Sequence, residues 1–463
     1  MSNDETYEPE NGRRGYRNRI AVLPGDPPIA YRPGRILIGE DAFANTDLGG
    51  TPLFVVAGDD GEPTGEAPAF GQWFLIEGVA DAPALVEELL SLGLKAELDI
   101  VYFANDADCC GCPPHPALAA EIAANPWTAD PWKANPWKAN PWRANPWRAN
   151  PWKANAESLN LLATGKPPMS SVMPAPLGAP RLRSPHQGGG SANEVVIGVL
   201  DSGLAGGWDN ANGQRPALLG TDLDRISGPL DLPSQATGGK PADNYLDPVA
   251  GHGTFIAGII EQLTPGCTIR VQSVLQPQGD VSVATLAVEL FHLMEPPTPK
   301  PKPKLVNFSF GGTGRDIMFE SVIDHYHQHH EVVFVGAAGN EGSCVEQYPA
   351  ALPSVIGVAA LGPTGPAPFS NYGPWVDACA PGTDLVSGFF AKFDGDMPPI
   401  NGLDPDDFDE WATWSGTSFA APVVVASLAR EMVDGCTAPQ AVERVVRAAH
   451  LARLPNMGTI VNY

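Results

Sequence analysis

The chain is 463 residues long, too long for one average domain, so two folded units and a linker are expected. Its 53 acidic side chains against 28 basic ones give a formal charge of -25, a surface that repels phosphate backbones and anionic lipid. Nucleic acid and membrane are therefore not expected as general partners. No stretch reaches the roughly 18 to 20 apolar residues that span a bilayer, and the polar start, MSNDETYEPENGRRGYRNR, has no hydrophobic core of a secretion signal. Seven cysteines, four of them single at Cys267, Cys344, Cys379 and Cys436, read as reduced, mostly buried thiols of a cytoplasmic protein. Export by a route without such a signal stays open.

Residues 1–18 read as a disordered tail. Residues 19–104 read as a small α+β unit: PGRILIG, PLFVVAG, QWFLIEGV and LDIVYFA are strand-like apolar runs. Between the last two, Leu85, Val86, Leu89, Leu90 and Leu92 recur at helical spacing, with Asp81 as N-cap and Gly93 as the stop.

Residues 105–192 read as a linker. Within it, residues 125–155 repeat the pentapeptide Asn-Pro-Trp-Lys/Arg-Ala, and a proline at every fifth position forbids a continuous helix. Six tryptophans, from Trp127 to Trp152, are too many for an inert spacer. The repeat is expected to bind the acidic C-terminal unit, a partner protein, or the chain's own cleft. Cys109, Cys110, Cys112 and His115 have zinc-ligand chemistry but no second Cys/His pair nearby, so no metal is assigned. His325 and His329, one helical turn apart, read as exposed imidazoles at a helix C-terminus.

From residue 193 to 463, strands and helices alternate. VVIGVLD, TIRVQSVL, LVNFSFG, EVVFVGAAGN and SVIGVAAL read as buried strands, and GTFIAGIIEQL and residues 282–294 as helices. That pattern predicts an α/β fold, a parallel sheet covered by helices on both faces.

Three segments carry candidate chemistry. VVIGVLDSG puts Asp201 at the carboxyl end of a strand, where open parallel sheets bind ligands. GHGTFIAGII puts His252 at a helix start between Gly251 and Gly253, whose missing side chains let other groups approach the ring. GTSFAAPVVVASLARE puts Ser418 at the N-terminus of a long apolar helix, as an N-cap, with Pro422 near the first turn. Singly, each has a plain reading as a turn, cap or structural residue. Together, Asp, His and Ser follow one order of a hydrolytic triad, and VVFVGAAGN ends a fourth strand at Asn340, an amide able to donate to an oxyanion.

VLDSG, GHGT, NFSFGG, AAGN, FSNYG and GTSFAAP occur in order, and on these motifs the region from about Asn193 to the end resembles the subtilisin-like (subtilase, peptidase S8) serine proteases. The resemblance implies a serine endopeptidase cutting extended polypeptides through an acyl-enzyme, without a cofactor. It assigns Ser418 as nucleophile, His252 as general base, Asp201 as its orienting carboxylate, and Asn340 with the Ser418 N–H as oxyanion hole. It assigns Ser309, Phe310 and Gly311 to one wall of the substrate cleft and Ala337, Ala338 and Gly339 to the other. More weakly, the unit at 19–104 resembles the family's propeptides, a ferredoxin-like intramolecular inhibitor and folding aid, with IVYFAN as the candidate first self-cleavage region. Departures are a loop of about fifty residues between Asp201 and His252, an inserted PPTPKPKPK, and no counterpart of the family's calcium sites. A catalytically silent scaffold binding partners through the Trp repeat is the alternative.

Overall fold

The computed structural model describes residues 20–25, 27–56, 64, 66–104, 172–176, 182, 194–205, 226–234, 244–296, 300–396, 404 and 406–463. The expected tail, the Trp repeat, the cluster of Cys109, Cys110, Cys112 and His115, and parts of the 201–252 loop lie outside them.

The first of two main sheets is antiparallel. Its N-terminal strands are β1 (Ala21–Leu23), β2 (Ile29–Gly39), β3 (Thr51–Pro52), β4 (Trp73–Glu77) and β5 (Ala96–Ala104). Helix α1 (Glu40–Asn45) follows β2, and α2 (Ala82–Ser91) joins β4 to β5. The order is β5-β2-β4-β3, with β1 against β2. Alternation sorts the faces: Ile36 and Ile38 pack with Ala42, Ala82 and Leu89 of the two helices, while Leu37 turns to the opposite core.

Helix α2 begins and ends on local chemistry. Asp81 accepts from Ala84 N–H at 3.1 Å. At the other end Gly93 adopts φ +77, and Gly93 and Leu94 donate back to Leu90 and Leu89. The strand expected in PLFVVAG shortens to Thr51–Pro52. Beyond it the Gln72 side chain takes the place of a ladder partner, accepting from Phe54 N–H and donating to Phe54 C=O.

The second sheet has ten strands, one of them the two-residue strand Gly365–Pro366, which pairs antiparallel with Val355–Gly362. β6 (Val196–Asp201), β7 (Ile226–Ser227), β8 (Thr268–Ser273), β10 (Leu305–Phe308), β12 (Val333–Ala337), β13 (Val355–Gly362), β14 (Ala378–Pro381), β15 (Arg453–Leu454) and β16 (Gly458–Ile460) run in the order β15-β16-β14-β13-β12-β10-β6-β8-β7. From β16 to β7 every neighbour is parallel. Helices α3 (His252–Leu263) and α6 (Thr417–Val433) pack on the face formed by Ile197, Val199 and Val335. Helices α4 (Val283–Met294) and α5 (Ile317–His330) cover the opposite face, against Leu200, Val306 and Phe334. The expected α/β layering is present.

Two short strands leave this arrangement. β9 (Asp280–Ser282) and β11 (Phe310–Gly311) pair antiparallel with the end of β5, in the registers Asp280↔Phe103 and Phe310↔Ala104. The antiparallel sheet thus has seven strands, two of them supplied by the large unit. LVNFSFG, expected as one strand, breaks at Ser309, whose polar groups turn toward α6.

Of the four single cysteines, Cys267 and Cys379 are buried, Cys436 is half-buried and Cys344 is exposed, so the expectation of mostly buried thiols holds for two. His325 is not simply exposed at the end of α5. Its ring lies 5.4 Å from Phe70 of the N-terminal elements and 5.2 Å from His329. Among the described residues no three or more His, Cys, Asp or Glu side chains gather to hold a metal, and no helix is long and apolar enough to cross a membrane.

Candidate active site

Strand β6 ends at Asp201 inside the protein, with no exposed surface. The carbonyl of Asp201 accepts from Val274 and Leu275 N–H, and its Oδ1 accepts from Ser202 N–H at 2.8 Å. The same oxygen lies 2.8 Å from Nδ1 of His252, which is equally buried. A carboxylate on one ring nitrogen fixes the ring's plane and directs Nε2 away from it.

His252 is the first residue of α3, after an N-cap Gly251 at φ +78. The two flanking glycines serve the protein's own packing rather than an open approach to the ring. A Cβ at Gly251 would meet the Phe389 ring at 2.2 Å, and one at Gly253 would meet the Gly203 carbonyl at 2.3 Å. The imidazole sits in an aromatic collar, 5.3 Å from Trp414 and 5.2 Å from Phe419 between ring centroids. Phe419 follows Ser418, which brings the start of α6 to the histidine.

Ser418 is the second residue of α6, not its cap; Gly416 is the N-cap. Pro422 lies well inside the helix, not in the first turn. It has no N–H for the carbonyl four residues earlier, that of Ser418. That carbonyl accepts instead from Ser309 Oγ at 2.8 Å, and Ser418 Oγ donates to the Ser309 carbonyl at 3.2 Å. Asn307 Nδ2 donates to Ser309 Oγ at 2.9 Å. The Ser309 side chain therefore braces α6.

Asn340 lies three residues beyond β12, in the loop that follows it. Its Oδ1 accepts from both the N–H and the hydroxyl of Thr417, at 2.8 and 3.0 Å. The donor end of the amide is fixed by elimination. Gly339 donates its N–H to the same hydroxyl at 3.0 Å. Ala337 and Ala338 are fully buried, Ala338 donating to Val358 C=O. Asn371 of the FSNYG motif ties this loop together: its Oδ1 accepts from Glu341 and Ser343 N–H, and its Nδ2 donates to the Ala338 carbonyl. Phe310 and Gly311 lie on β11, paired with β5.

With that geometry in place, the sequence model of the subtilase family (peptidase S8) matches residues 192–451, more than half of the chain. This chain belongs to the subtilase family. It is similar to the thermophilic serine proteinase of Bacillus sp. (strain AK1), 30% identical over 256 residues, 51% of this chain and 58% of that protein. It is also similar to the thermostable alkaline protease of Halalkalibacterium halodurans, at 27% identity over 59% of this chain and 66% of that protein. Thermitase of Thermoactinomyces vulgaris is 28% identical over 47% of this chain and 75% of that protein. The subtilase spans less than two thirds of the length of the first two relatives.

Two further residues of this subtilase support the site. Asp231 is buried and accepts from Ser202 Oγ and from Gly251 N–H, both at 2.8 Å, while Ser202 Oγ accepts from Gly253 N–H at 3.0 Å. It thereby clamps the end of β6 to the start of α3, the two elements carrying Asp201 and His252. Burial pushes the Asp231 carboxyl up to about 7. Sequence gave no signal for it, since Asp231 lies in a Gly/Pro-rich loop outside every motif. Thr417, in contrast, stood inside GTSFAAP and carried a signal that went unread.

Proposed function

We propose that this subtilase is a serine endopeptidase held inactive by its own N-terminal unit. The observation that carries the reading is the buried 2.8 Å pair of His252 and Asp201 beside the start of the helix that bears Ser418. Ser418 Oγ adds to the carbonyl carbon of an extended peptide while its proton passes to His252 Nε2, and Asp201 holds the resulting imidazolium. The oxyanion takes hydrogen bonds from Asn340 Nδ2 and the Ser418 N–H. The C–N bond then breaks as the imidazolium gives its proton to the departing amine. A water, deprotonated by the same nitrogen, releases the acyl group and restores the serine.

The N-terminal unit, in this reading a ferredoxin-like propeptide, blocks the cleft until cut. Supporting this, β5 ends as an extended strand between β9 and β11, with Ala104 N–H donating to Gly279 C=O at 2.8 Å. A guest strand held by main-chain bonds on both edges is how an extended substrate would lie. Glu97 and Asp99 of β5 also cap the helices beneath. Glu97 accepts from Ile317 and Met318 N–H, and Asp99 from Ala284 N–H. The purified chain is expected to bind a fluorophosphonate at Ser418 and to digest casein, and Ser418→Ala to do neither while staying full length. Equal digestion by Ser418→Ala would overturn the reading.

A further inference from the structure

Asp231 stands behind the Asp201–His252 pair, buried, in a place that peptide chemistry does not reach by contact. It ends the two-residue strand Leu230–Asp231, which runs parallel to Leu204–Ala205. Gly203, at φ +114, admits that strand: a Cβ there would lie 2.8 Å from the Pro229 carbonyl oxygen. One carboxylate oxygen, Oδ2, accepts both the Ser202 hydroxyl and the Gly251 N–H. The first donor is the residue after Asp201 and the second is the residue before His252.

A neutral amide oxygen could accept the same two donors. A buried anion is harder to hold, and its surroundings make it harder still. The carboxylates of Asp201, at the end of β6, and Asp247, in the loop before α3, both oppose its ionisation, after burial itself. A cation forming close by offsets that opposition, and the imidazolium of His252 is such a cation. We infer that Asp231 is a positioning residue acting through His252: its hydrogen bonds align the ring with Asp201, and its negative charge favours the imidazolium as Ser418 gives up its proton. The inference rests on the serine peptidase reading and adds a group that touches neither substrate nor nucleophile. Because burial lifts the carboxyl to about 7, the charge is present at pH 9 and largely absent at pH 6. The Ser202 and Gly251 hydrogen bonds pull the other way and favour the ionised form.

The test measures cleavage of a peptide of residues 99–108 by the purified full chain after its own processing is complete, as wild type and as Asp231→Asn. The amide oxygen of the variant still accepts both donors, but the charge is gone. At pH 9 kcat is expected to fall about tenfold with KM unchanged, and the gap to close toward pH 6, where wild-type Asp231 is itself neutral. Equal kcat at pH 9 overturns the inference. An equal loss at both pH values also overturns it, because a merely structural acceptor would act alike at each. Failure of the wild type to cut this peptide or casein overturns the peptidase reading instead. Should Asp231→Asn not fold, Ser202→Ala tests the same charge. It keeps the carboxylate but removes a donor that favours its ionised form, so the acid limb of kcat is expected to move up by about half a pH unit or more. An unmoved limb would overturn the inference.

Discussion

The four helix N-termini around the parallel sheet fall into two pairs. On the docking face, α4 and α5 are each capped twice. One cap is local, Ser282 to Thr285 N–H and Asp316 to Phe319 N–H. The other comes from β5, Asp99 and Glu97. On the reaction face, α3 and α6 begin at Gly251 and Gly416, with no capping side chain of their own. The Gly253 N–H in the first turn of α3 goes to Ser202 Oγ and the Thr417 N–H that opens α6 goes to Asn340 Oδ1, side chains that also touch the site. The docking face uses surplus acceptors to hold β5, whereas the reaction face ties each helix start to a side chain beside the site. Capping is worth about 0.5 to 2 kcal/mol in either place, but only on the reaction face does its loss change chemistry.

The contrast can be broken most sharply at Asn340. Asn340→Ala removes an oxyanion donor and the acceptor for Thr417 together, and kcat is expected to fall roughly 10²–10³-fold with little change in KM. A change confined to KM in steady-state assays would refute the role.

The next largest effect is with pH. Burial lifts the carboxyls of Glu97, Asp99 and Asp316 above their ordinary range and that of Asp280 to about 7. Arg32 faces Asp280, and Arg35 faces Asp99. A carboxyl that holds its proton more tightly when docked favours docking below its free value, near 4, and loses that advantage as pH rises through the lifted value. Docking of the N-terminal unit is thus expected to be at least about tenfold weaker at pH 8 than at pH 5. Hydrogen exchange of β5 in Ser418→Ala protein measures this, and stronger docking at high pH would reverse the sign. Smallest is the single cap: Glu97→Ala should loosen β5 by about 1 kcal/mol in the same assay, with peptide turnover by the processed enzyme unchanged.

Local rules were readable in advance. Asp81 and Gly93 delimit α2 through contacts within six residues, and short apolar runs located β2, β4 and β5 of the first sheet and β6, β8, β10, β12 and β13 of the second. The motifs also marked Asp201 and His252, which the fold pairs at 2.8 Å. What could not be read are interactions whose partners are remote in sequence. Asp231 clamps Gly251 from 20 residues away, and Ser309 meets Ser418 across 109. The break of LVNFSFG into two strands follows from that second contact, as does the value of Pro422 inside a helix. The flanking glycines of His252 were misread because their neighbours, Phe389 and Gly203, come from other parts of the chain.

The slot between β9 and β11 grips its guest by the backbone along both margins. A chain segment in the middle of a folded sheet has neither margin to offer, and one at the border has a single margin. Only a segment with both margins unpaired can fill the slot, as the overhanging end of β5 does beyond its pairing with β2. In the proposed peptidase reading, such a cleft favours loose loops and chain ends over the interiors of folded sheets.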